Sequence, residues 1–129
     1  MATRSFIGKL NKDDSITGIF CYWDGYPEHA GRILIDNYLT EQQVDQLLAL
    51  GDLSSIAPTL AECESYSSRG EQGVEAKLYK DIQAFYEAGK GPWVEYYYVF
   101  NYDFWACWDS NMKRYDLNTL DSEKDEEAA

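Results

Sequence analysis

Two stretches of apolar, β-branched and aromatic residues open the chain, Thr3 to Leu10 and Ile16 to Trp23. Between them lies Asn11-Lys12-Asp13-Asp14-Ser15, a run of turn formers, and the pattern predicts a β-hairpin. In the second stretch Ile16, Gly18, Phe20 and Tyr22 share one face, and Thr17, Ile19, Cys21 and Trp23 share the other. Both faces carry bulk, so this strand is expected inside a sheet and not at its edge. Asp24-Gly25 breaks it. Pro27 suits the first turn of a helix and Glu28 complements the positive end of the helix dipole. Ala30, Ile33, Leu34 and Tyr38 then follow with helical spacing. Thr40 with Gln43 makes a capping-box pair at the start of a second helix. Its buried stripe is Val44, Leu47 and Leu48, and Gly51 stands where such a helix ends.

From Asp52 to Gly73 the pattern is weak, and Ser67-Ser68-Arg69-Gly70 reads as an exposed loop. Val74, Leu78, Ile82 and Phe85, at spacings of four, four and three, predict a third helix ended by Gly89 and Gly91-Pro92. A second hairpin follows: Trp93 to Phe100, a turn around Asn101-Tyr102-Asp103, and a return from Phe104 to Trp108. The order of hairpin, helices and hairpin predicts an α+β fold class. Its simplest form is an antiparallel sheet of about four strands, the N- and C-terminal hairpins, with about three helices on one face. Residues 1–115 read as a single domain. Residues 116–129 hold six acids and one lysine, net −5, and read as an acidic disordered tail.

Charge changes the picture more than composition does. The whole chain carries 11 Lys and Arg against 23 Asp and Glu, formally −12 at pH 7, so the body outside the tail carries −7. Such a balance disfavours direct binding to nucleic acid or to anionic lipid and suits a basic protein surface. Acidity also keeps proteins soluble, which alone explains many such compositions. The three cysteines, Cys21, Cys63 and Cys107, form no C-x-x-C pair and are odd in number, which fits a reducing cytoplasm and no disulfide framework. No apolar run approaches a membrane span, and the start of the chain lacks the apolar run of a signal peptide.

The densest polar and aromatic cluster is Cys21-Tyr22-Trp23-Asp24-Gly25-Tyr26-Pro27-Glu28-His29, where a strand ends and a helix begins. Trp23 and Tyr26 offer stacking surfaces there, and Asp24 and Glu28 offer polar recognition; the plainer alternative is a structural turn. His29 is the single histidine, which leaves no His-based metal pair, and no serine or cysteine beside it has nucleophile spacing. No catalytic set, metal site or cofactor is read from the chain. Glu95, within the aromatic run Trp93-Val94-Glu95-Tyr96-Tyr97-Tyr98, is either a buried functional acid or a solvated one. Trp105 and Trp108 continue the aromatic block. If its second face is open, it marks a partner surface or a homodimer contact; if covered, it is core.

The first half of the chain resembles a family of small bacteriophage proteins of uncharacterised activity. The likeness rests on Thr3-Arg4-Ser5 with Ile7, on Ile19-Phe20-Cys21-Tyr22-Trp23-Asp24-Gly25-Tyr26-Pro27-Glu28, on Gly31 and Leu34, and on Leu50-Gly51-Asp52-Leu53-Ser54-Ser55. Members often carry His after the cysteine; Tyr22 stands there in this chain, so no role of that histidine transfers. The resemblance implies phage or prophage origin. With the acidity, it implies an inhibitor of a host defence complex, of anti-CRISPR or anti-restriction type. Such a protein would act in the host cytoplasm by occupying a basic nucleic-acid-binding surface as a DNA mimic. Two other roles compete: sequestration of a nucleotide signal by the Trp23–Glu28 turn, and a small enzyme using Asp24, Glu28 or His29.

Overall fold

A computed structural model of the chain describes residues 3–117. β1 (Ser5–Leu10) and β2 (Ile16–Cys21) pair antiparallel from Ser5↔Cys21 to Leu10↔Ile16. Pro27 then opens a single π turn, Pro27–Gly31, which runs into α1 (Arg32–Asn37). At α2 (Glu41–Leu48) the expected capping box is complete: the Gln43 amide donates to Thr40 Oγ1, and the Thr40 amide donates to Gln43 Oε1. Gly51, at φ +79°, turns the chain into β3 (Leu53–Ser55). The weakly patterned segment also holds β4 (Glu64–Ser65), and β5 (Lys77–Tyr79) lies in the stretch from Val74 expected to be helical. α3 (Ile82–Lys90) leads to β6 (Tyr96–Asn101), β7 (Phe104–Asp109) and β8 (Arg114–Tyr115).

The fold is α+β with three α-helices and a mixed eight-stranded sheet among the described residues. The sheet order is β4-β3-β2-β1-β6-β7-β8, with β5 also on β2. Four antiparallel strands were expected, and the difference has two causes. The helical connection from β2 to β3 brings the chain back in the same direction, so these strands pair in parallel, at Cys21↔Leu53. The two hairpins also join side by side with β1 parallel to β6, in register from Ser5↔Tyr96 to Lys9↔Phe100.

Helices cover both faces of the sheet, not one. On the first face Ile7, Ile19, Cys21, Leu53, Tyr98, Phe100, Trp105 and Cys107 meet Ala30, Leu34, Val44, Leu47 and Leu48 of the π turn, α1 and α2. On the second, Phe6, Ile16, Tyr97, Val99 and Trp108 meet Phe85 of α3. β2, as expected, lies inside the sheet, because its alternate residues serve two cores. The third helix begins only at Ile82. Asp81 caps it by accepting the Ala84 amide (2.8 Å), and the residues before it, Lys77–Tyr79, pair with β2 as a strand. The first core extends to Leu117, two residues past the boundary read from charge. Residues 118–129, which hold most of the acidic tail read from the sequence, lie outside the described residues.

Candidate functional site

The Trp23–Glu28 turn is fixed by its backbone and open by its side chains. The amides of Tyr22 and Trp23 donate to the carbonyls of Leu53 and Ser54, each at 3.0 Å, so the chain stays tied to β3 after β2 ends. Asp24 takes the left-handed conformation, φ +55°, which short polar side chains tolerate better than most. Gly25 follows, buried against β1. Its amide donates to the Thr3 carbonyl (2.9 Å), and its carbonyl accepts the fully buried phenol of Tyr98 (2.6 Å). A Cβ at Gly25 would stand 2.6 Å from Ser5, so only glycine lets the turn approach so closely. The Ala30 amide then donates to the Tyr26 carbonyl (2.9 Å), which fixes the entry to the π turn.

Around that frame Trp23, half exposed at 50%, and Asp24, Tyr26 and Glu28 all face solvent. His29 is half-buried, with its ring centroid 6.0 Å from that of Tyr26. Glu95 is exposed just before β6, where its amide donates to the Arg4 carbonyl (2.9 Å). Burial pushes the Tyr96 phenol upward, and the carboxylates of Glu28, Glu95 and Asp109 push it further. The structure thus brings Glu28 and Glu95 to one end of the sheet, around Tyr96, though 67 residues separate them in the chain. Asp109 stays ionised there. Burial works against its charge, but the amides of Lys113 and Asn111 and the Tyr115 hydroxyl donate to it and hold its carboxyl below the usual range.

Trp105 and Trp108, expected as contact residues, are instead core residues, each 8% exposed. They point to opposite faces of β7. The Trp105 indole donates to the Tyr38 carbonyl (2.8 Å) under α1, and the Trp108 ring stacks on Tyr97 (centroids 5.7 Å, planes 4° apart). The aromatic block therefore has two covered faces. Its exposed aromatics are Trp93 before the hairpin, 81% exposed at φ +62°, and Tyr102 and Phe104 at its tip. Of the hairpin's own aromatics, Tyr102 and Phe104 at the tip are the exposed ones. Neither Trp93 nor the tip stood out in the sequence as surface, because an aromatic run gives no sign of which rings the helices will cover.

The thiols offer no nucleophile at either core position: burial pushes both Cys21 and Cys107 up to about 12. Cys63, half-buried, accepts the Ala57 amide (3.2 Å). Among the described residues no three His, Cys, Asp or Glu side chains gather as metal ligands. None of the helices among the described residues is long and apolar enough to cross a membrane. No protein family, curated protein or solved structure matches the chain.

Proposed function

We propose that the chain is a binding protein and not an enzyme. It is a small acidic inhibitor, of phage origin, that occupies a basic nucleic-acid-binding surface of a host defence complex in the cytoplasm. The observation that supports this role is the turn itself. Its backbone is pinned at Trp23, Gly25 and Tyr26, and Trp23, Asp24, Tyr26 and Glu28 project from it. Rigid backbone beneath exposed aromatic and charged side chains binds at low ordering cost. Glu28 and Glu95 on the same end suit Lys and Arg on a partner. The same carboxylates disfavour the nucleotide alternative, because phosphates brought to Trp23 and Tyr26 would meet Asp24 and Glu28. The rest of the acidic surface contributes long-range attraction without a single face. Exposed acids stand on the β1–β2 loop (Asp13, Asp14), on α2 (Glu41, Asp45) and around β4 (Glu62, Glu64).

Affinity capture from bacterial host lysate tests the proposal. The expected result is retention of a nucleic-acid-binding complex at about 0.05 M salt, its release at about 0.5 M, and its displacement by added duplex DNA. Trp23→Ala and Glu28→Gln should each weaken retention about tenfold, a loss of ~1.4 kcal/mol. Asp24→Asn removes charge while keeping a side chain that tolerates the left-handed turn. Retention that ignores both salt and competing DNA would sink the mimic.

A further inference from the structure

The turn stands at one end of the strands, and the other end carries an apolar surface on the second face. There α3 covers the sheet only in part, and a groove of about 370 Å³ lies open over β6 and β7, lined by Val99 and Ala106. A hollow of about 180 Å³ adjoins it and shares Ile82, Trp108 and Arg114. Phe104 and Ile82 of the groove are 52% and 47% exposed, and Met112 of the hollow is 62% exposed. Large apolar side chains left open side by side mark a contact surface.

The charged residues that line the groove lie at its two ends and differ in sign. The groove crosses the sheet in the order β1, β6, β7, β8. At the near end Asp14 belongs to the β1–β2 loop, and Asp81 follows Tyr79, which pairs with Ile16 where β2 begins. At the far end Arg114 lies on β8, opposite Trp108. Asp14 and Arg114 are both exposed, and neither forms an ion pair with a described residue.

A matching occupant offers an apolar centre, a base at one end and an acid at the other. A uniformly basic partner would meet Arg114, and a uniformly acidic one would meet Asp14 and Asp81. We propose that the occupant is a second copy of this chain, joined in a two-fold homodimer. Rotation by half a turn about an axis through the groove lays each copy's Arg114 on the acidic end of the other. The same rotation lays Phe104 and Ile82 of each copy over the groove of its partner. The pairing closes at two, because both ends of both grooves are then used. Each turn lies roughly 16 Å away, about five residues of β1, and stays free. The dimer is thus independent of what the turn binds. Repulsion between chains of −12 opposes association and keeps the Kd modest, about 10 µM.

Sedimentation velocity of the full-length chain, in reducing buffer at about 0.15 M NaCl, tests the dimer. From about 1 µM to about 200 µM the mass should rise from the 14.8 kDa of one chain to twice that value. Arg114→Glu and Asp14→Lys each set like charges against one another at both ends of the interface. Each should weaken dimerisation at least about tenfold. Mixed in equal amounts, the two variants pair opposite charges at both ends, and the affinity should return to within about threefold of the parent. That rescue also shows that both variants are folded. Phe104→Ser should weaken dimerisation about tenfold, and Trp23→Ala should leave it unchanged. The interface is overturned by a monomer at the highest concentration, by Arg114→Glu or Asp14→Lys dimerising like the parent, or by a mixture that stays monomeric. Growth past the dimer, or its loss in Trp23→Ala, overturns it equally.

Discussion

Asp52 shows how a single residue in an unpatterned segment can organise its surroundings. The outer edge of β2 is shared by two short strands, β5 at Ile16 to Gly18 and β3 at Cys21, which leaves the Phe20 amide between them. The Asp52 carboxylate accepts that amide at 2.9 Å and stands in for a ladder carbonyl. Burial raises its pKa from the ordinary 3.8, against the pull of the Phe20 amide and of Lys77. A carboxyl whose folded pKa is raised contributes stability that is fully present below 3.8 and lost as pH rises through the folded value. Asparagine at this position keeps an acceptor for Phe20 and has no charge to desolvate. Asp52→Asn is therefore expected to gain on the parent protein between about pH 3 and pH 7. Urea unfolding of both proteins at the two pH values measures it. A difference that is constant with pH, or that runs the other way, would show that burial does not govern this carboxyl. Neither spacing nor periodicity marks Asp52 as more than one acid among 23.

At the scale of elements, legibility followed length. Both hairpins, α2 with its capping box and the C-terminal part of α3 could be read, because six to nine residues carry a period. β3, β4, β5 and β8 have two or three residues each and carry none. The parallel pairing of β1 with β6 joins segments about 90 residues apart, which no local pattern reports. Bulk on both faces of β2 and neighbouring buried tyrosines in β6 imply two covered faces, and that argues against helices on one side only. The second cover depends on a cross-strand glycine pair, Gly8↔Gly18, over which the Phe85 ring lies. A Cβ on Gly18 would stand 2.8 Å from Phe85 Cε1 and 3.1 Å from Phe6 Cε1. Neither glycine has a positive φ, so the constraint is space and not backbone conformation. Gly18→Ala should cost about 1–3 kcal/mol by overpacking. With Phe85→Leu already in place, the same change should cost less than half as much, because the edge of the ring is gone. A double-mutant cycle in urea gives both numbers, and strict additivity would mean that α3 shifts freely over the sheet.

Over the whole molecule, charge and fold are only loosely coupled. Lys9 holds α2 to β1 through Glu41 and Asp45, both at 2.8 Å, and Arg32–Asp36 and Lys90–Glu87 are surface pairs of small worth. The turn itself was legible in Asp24-Gly25 and Tyr26-Pro27. The burial of Trp105 and Trp108 was not, because it depends on which helix covers which face. Self-repulsion at −12 is expected to weaken the fold at low ionic strength. Raising NaCl from about 0.05 M to about 0.5 M shortens the screening length to a few ångströms and should raise Tm by about 3 °C. Calorimetry across that range checks the sign, and a falling Tm would mean that the surface ion pairs outweigh the repulsion. The sign matters for function as well. Binding of a basic partner through the turn should weaken over the same range in which the fold strengthens. Release at high salt is then a property of the interface, and unfolding cannot account for it.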